Sequence, residues 1–202
     1  MRFDVKFKES EQRFDVSFGE VQNISDGGYE RGYEAGYADG TIALLDRTIV
    51  EYSNTNLTKL GAYALSGTQI KHLNLPSLRE IEGYAFYECY ELKEMVFQQL
   101  KDVPYNGLRQ FKGIVKADFW VLESILSNGF YQCVDLEALI IRSDVVCTLA
   151  AGTVLSNSKI QLGTGYVYVP KNLVDSYKTA TNWSTYASQI RAIEDYPEIT
   201  GG

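Results

Sequence analysis

The feature that most constrains this chain is an apolar pattern that recurs about every 22 residues. Leu57, Leu78, Leu100 and Leu122 are spaced 21, 22 and 22 apart. Leu60, Ile81, Val103, Ile125 and Cys147 keep the same rhythm, as do Leu65, Phe86, Leu108 and Phe130. Three more columns are Ile70, Leu92, Ile114 and Leu136; Leu73, Met95, Ala117 and Leu139; and Leu75, Phe97, Phe119 and Ile141. Six apolar columns in register over four units mark an internal repeat, which decides the fold before any local propensity does.

Within one unit, Leu92-Lys93-Glu94-Met95-Val96-Phe97 places Met95 and Phe97 on one face by two-residue alternation, with Glu94 and Val96 on the other. That is a short strand buried on one side. A single unit of this size cannot bury its own apolar residues, so successive coils must stack and turn each column into a ladder of packed side chains. The return stretch, such as Ile81-Glu82-Gly83-Tyr84-Ala85-Phe86, brings Ile81 and Phe86 back to the core. The period falls in the 20–29 range of leucine-rich repeats. The expected fold is a leucine-rich-repeat solenoid, an α/β horseshoe dominated by strand, with a parallel sheet on its concave face.

Leu60-Gly61-Ala62-Tyr63-Ala64-Leu65, Ile81-Glu82-Gly83-Tyr84-Ala85-Phe86-Tyr87-Glu88-Cys89 and Asn128-Gly129-Phe130-Tyr131-Gln132-Cys133 resemble the recurring element of the BspA-like leucine-rich repeats. The likeness spans about residues 45–193. Leu45–Tyr52 resembles the lead-in before the first repeat of such proteins. Tyr166–Pro170, followed by Val174–Lys178 and Asn182-Trp183-Ser184, resembles their closing cap. The third unit departs from the pattern: Val103-Pro104-Tyr105-Asn106-Gly107-Leu108 lacks the phenylalanine, and Lys112 stands near the cysteine position. Its convex side is therefore expected to be irregular. The resemblance implies a bacterial surface or phage-associated protein that binds host or extracellular proteins.

Four regions follow from these patterns: residues 1–26, 27–44, 45–170 and 171–202. In the first, Phe3, Val5 and Phe7 alternate, as do Phe14, Val16 and Phe18, around a polar link; this predicts a β-hairpin packed on the solenoid edge or on another copy. In the second, Tyr29, Tyr33 and Tyr37 lie four apart, and so do Gly28, Gly32, Gly36 and Gly40. Each set forms a stripe on a helix, but every glycine weakens a helix by about 0.8–1 kcal/mol relative to alanine. The segment reads as a linker, or as a helix that oligomerises through Tyr29, Gly32, Tyr33, Gly36 and Tyr37. The third region holds the repeats and the fourth the cap.

No catalytic, cofactor or metal site is expected. The chain has one histidine, His72, and three cysteines without a CxxC pair, too few to build a zinc shell. Cys89 and Cys133 share one column and read as small core residues, as does Cys147. The net charge of −7 opposes phosphate backbones and anionic membrane surfaces, so neither nucleic acid nor membrane is an expected partner. Met1–Lys6 alternates polar and apolar residues, so no secretory signal is read there and a cytoplasmic or virion location is expected.

The outward strand positions define the expected binding face of a curved solenoid: His72, Glu94, Lys116 and Ala138 in one row, Asn74, Val96, Asp118 and Ile140 in the next. The expected function is non-catalytic recognition of a protein or glycan. The alternative is assembly of a phage particle, with the N-terminal 44 residues forming a homo-oligomer.

Overall fold

The computed structural model describes residues 4–7, 41–42 and 49–201, with side chains from residue 50 onward. Strands β1 to β7 are Asp4–Phe7, Thr41–Ile42, Ile49–Ser53, Lys59–Leu60, His72–Asn74, Glu80–Ile81 and Glu94–Phe97. Strands β8 to β14 are Asp102–Val103, Lys116–Phe119, Ser124–Ile125, Ala138–Ile141, Thr148–Leu149, Tyr166–Val169 and Ile190–Ala192. Each coil contributes one longer strand, one two-residue strand and a return turn.

Like lies over like. Met95 pairs with Ala117, Ala117 with Leu139, and Leu139 with Val167, all in parallel strands. The short strands form a second parallel ladder, with Leu60 beside Ile81 and Val103 beside Ile125. The inward columns are buried, from Leu57, Leu60 and Leu65 at one end to Leu136, Leu139 and Ile141 at the other. Only Leu73 is partly open. Each large aliphatic side chain removed from water contributes about 1.5–3 kcal/mol, which explains why the columns decide the fold.

The return side is built from a turn with two left-handed residues per coil. Tyr63, Tyr84, Asn106 and Asn128 hold φ between 57° and 61°. Gly67, Glu88, Gln110 and Gln132 occupy the same place four residues later. These turns bond to the next coil through the backbone: Leu65 N donates to Ala85 O (2.9 Å) and Leu108 N to Gly129 O (2.9 Å).

Three expectations change. The third unit is not irregular on its return side, because it has the same two left-handed turns. Phe111, not Lys112, takes the cysteine position, where its ring is fully buried and stacks on Phe86. In the fifth unit Leu149, not Cys147, lies beside Ile125, because two additional residues separate Ile141 from its short strand. Cys147 is buried all the same.

At the N-terminus, β1 runs antiparallel to β3, with Val5 opposite Tyr52. This places Asp4–Phe7 on the edge of the sheet. The second run of the expected hairpin, Phe14 to Phe18, lies outside the described residues, and so do Tyr29, Gly32, Tyr33, Gly36 and Tyr37. The short ladder already begins at Thr41, beside Lys59.

At the other end, α1 (Val174–Thr179) and a 3-10 turn over Trp183–Gln189 pack onto the last coil. Trp183 is fully buried and donates from Nε1 to Cys147 O (2.6 Å). Cys147 N donates to the Tyr177 hydroxyl (2.9 Å). Two amphipathic rings thus satisfy backbone groups that have no further coil to bond.

Candidate recognition surface

The outward positions of the main sheet form rows across the coils, and the two ends of these rows differ. Ala138 and Ile140 on β11 and Tyr168 on β13 form a second small core with Ile193, Tyr196 and Ile199. The C-terminal segment therefore crosses the outer face of the sheet and ends in α2 (Pro197–Thr200). Asp118 is also buried, and accepts from Arg142 Nε and an Arg142 terminal nitrogen, both at 2.8 Å. Arg142 further donates to Thr200 O, pinning the segment to the sheet. The Asp118 carboxylate raises the pKa of the Arg142 guanidinium.

The eight positions expected to face a partner thus divide. Asp118, Ala138 and Ile140 are covered by the chain itself. His72, Asn74, Glu94 and Val96 are exposed, and Lys116 is half-buried. The covering has a local signal: Ala138-Leu139-Ile140-Ile141 is apolar on both faces, whereas Glu94-Met95-Val96-Phe97 keeps a charge outside. A strand apolar on both faces needs a layer on each.

Lys116 Nζ lies 2.7 Å from Glu94, so these two charges satisfy each other. Ion pairs also join successive coils at Lys59 and Glu82, Lys101 and Glu123, and Lys112 and Glu88. What remains open is a polar surface with apolar points. Val96 is 43% exposed, and Trp120, which continues the outward row of Lys116 and Asp118 just past β9, is 51% exposed. The outward phase of Trp120 follows from alternation; its exposure depends on what packs nearby, and the sequence does not reveal that. On the first three coils a groove of about 850 Å³ opens, lined by Glu51, Lys71, His72, Asn74, Lys93 and Glu94.

The nucleophiles are remote from this face. Burial pushes the Cys89 thiol up to about 11, and those of Cys133 and Cys147 up to about 12. Cys89 and Cys133 each donate to a carbonyl of the preceding coil, Leu65 O and Leu108 O, both at 2.9 Å. Among the described residues no three His, Cys, Asp or Glu side chains converge to hold a metal ion. No helix among them is long and apolar enough to cross a membrane.

The family model described as BspA type leucine rich repeat region matches residues 48–161, in six copies. The chain belongs to that family. No curated protein matches the chain. BspA-type repeats are typically non-catalytic, and their repeat architecture suits protein interaction and adhesion. In this BspA-type chain the expected outward positions that stay exposed are His72, Asn74, Glu94 and Val96, on the second and third coils.

Proposed function

We propose that the protein is a non-catalytic recognition module that binds a protein or glycan through the open part of its main sheet, the concave face of a repeat solenoid. The observation that carries this reading is the exposure of Val96 and Trp120 among His72, Asn74 and the Glu94–Lys116 pair, while the apolar outward residues farther along are sealed by the C-terminal segment. Exposed tryptophan beside neutralised charge matches the composition of interface hot spots, where aromatic anchors dominate the binding energy. The three thiols are buried, which gives no support to cysteine-based chemistry.

The test is a binding screen of the full chain on arrays of extracellular-matrix proteins and of glycans, repeated with Trp120→Ala, Val96→Glu and the distant control Leu162→Ser. The expected result is a reproducible ligand whose affinity falls at least about tenfold in the two face variants and stays unchanged in the control. A ligand bound equally well by all four proteins would place recognition elsewhere.

A further inference from the structure

We infer that the repeat stack contains a hinge between its second and third coils. Both strand ladders stop at this place. The main ladder runs β1-β3-β5 and resumes as β7-β9-β11-β13-β14; the short one runs β2-β4-β6 and resumes as β8-β10-β12.

The interruption can be assigned atom by atom. In the main sheet Lys116 N donates to Lys93 O (3.0 Å) and Trp120 N to Phe97 O (3.1 Å). One coil on, Ala138 N donates to Val115 O (3.0 Å) and Arg142 N to Phe119 O (2.8 Å). The equivalent donors in the third coil are Glu94 and Gln98, and the equivalent acceptors are Lys71 and Leu75. Among the described residues no backbone bond joins them. In the short ladder, Glu82 N donates to Leu60 O (2.9 Å), Leu126 N to Val103 O (2.9 Å) and Ala150 N to Ile125 O (3.0 Å). The corresponding residue of the third coil is Pro104, which has no N–H to offer Ile81 O.

The return side, in contrast, stays joined across the same boundary. Tyr84 N donates to Asn106 O (2.8 Å), Glu88 N to Gln110 O (2.9 Å) and Gly113 N to Cys89 O (2.7 Å). Gly113 makes this closeness possible, since a Cβ there would sit 2.4 Å from Cys89 O. Lys112 pairs with Glu88 (3.0 Å) on the same side. Two sides unpaired and one side pinned define an axis of rotation along the return turns. The groove between Lys71–Asn74 and Glu91–Glu94 lies on the unpaired side.

Rotation about that axis changes the separation of His72 and Asn74 from Val96 and Trp120. A ligand that touches both sides then selects one angle. This consequence rests on the recognition role proposed above; the hinge itself does not.

Amide hydrogen exchange on the ligand-free full chain tests it. The Glu94, Val96 and Gln98 amides should exchange at least about tenfold faster than their counterparts Lys116, Asp118 and Trp120 one coil on. Equal protection overturns the hinge. A second test uses the double variant N74C/V96C, which puts two thiols in one outward row across the seam; the native thiols are buried and do not compete. Oxidation should close a cross-link and slow exchange at the seam about tenfold, reversibly on reduction. A cross-link that fails to form, or that leaves exchange unchanged, overturns it as well. Loss of ligand binding with fast seam exchange retained would instead count against the recognition reading alone.

Discussion

Phe86 and Phe111 stack face to face, with ring centroids 4.9 Å apart and planes 11° from parallel, although they occupy different columns of the repeat. Phe86 sits in the column that Leu108 continues, and Phe111 in the column of Cys89 and Cys133. The third unit has therefore exchanged a large and a small residue between two neighbouring core positions. Phe111→Cys alone should cost about 3 kcal/mol, because the return turns around it are joined by backbone bonds and the cavity collapses only in part. Adding Leu108→Phe should return most of that loss, with a coupling of at least about 1 kcal/mol in a double-mutant cycle of urea melts.

The three thiols make stability fall in alkali. The unfolded thiol ionises at 9.0, whereas burial holds Cys89 near 11 and both Cys133 and Cys147 near 12. Below the unfolded value both states are protonated and the thiols add no pH dependence. Above it the unfolded chain releases protons that the folded chain keeps, so stability declines until pH passes the folded values. Each thiol contributes a slope of up to about 1.4 kcal/mol per pH unit in that window. Urea midpoints at pH 8 and pH 10 check this, and Cys133→Ala should make the decline shallower. At pH 7.5 iodoacetamide should label the native protein far more slowly than the unfolded one.

Arg142 ties the C-terminal segment to the sheet through Asp118 and the Thr200 carbonyl. Arg142→Ala would leave a buried carboxylate without its cation. With Arg142 itself partly exposed, the expected loss is about 2 kcal/mol, below that for a fully buried pair. Limited proteolysis should then cut between residues 193 and 200 at a protease dose that spares the native chain. Equal resistance of the two proteins would show that the apolar contacts of Ile193, Tyr196 and Ile199 hold the segment unaided.

Gln132 holds φ at 61°, in the turn position where the first coil has Gly67 at 64°. A left-handed conformation costs a residue with a Cβ about 1–2 kcal/mol, partly offset by the greater freedom glycine loses on folding. Gln132→Gly should stabilise the protein by about 0.5 kcal/mol, and Gly67→Ala should destabilise it by about 1 kcal/mol. A Cβ at Gly67 meets nothing within 4 Å, so the second value isolates the backbone effect. Thermal melts of the two variants give both numbers.

The sequence by itself determined the coil, the parallel stacking and the inward columns. A residue's inward or outward phase is a local property of its strand, and recurrence every 21 or 22 residues repeats that local fact until chance is excluded. Tertiary structure decided which outward residues stay free. Asp118, Ala138 and Ile140 have the same phase as Asn74 and Val96, but their burial depends on Ile193–Thr200, a segment more than fifty residues away that alternation within β11 does not specify. It also decided the register of the fifth coil, where two additional residues put Leu149 beside Ile125, and the seam, where Pro104 is visible in the sequence but its effect is not. Covering and mispairing depend on what another part of the chain brings to a position, and a periodic pattern records only which way that position points.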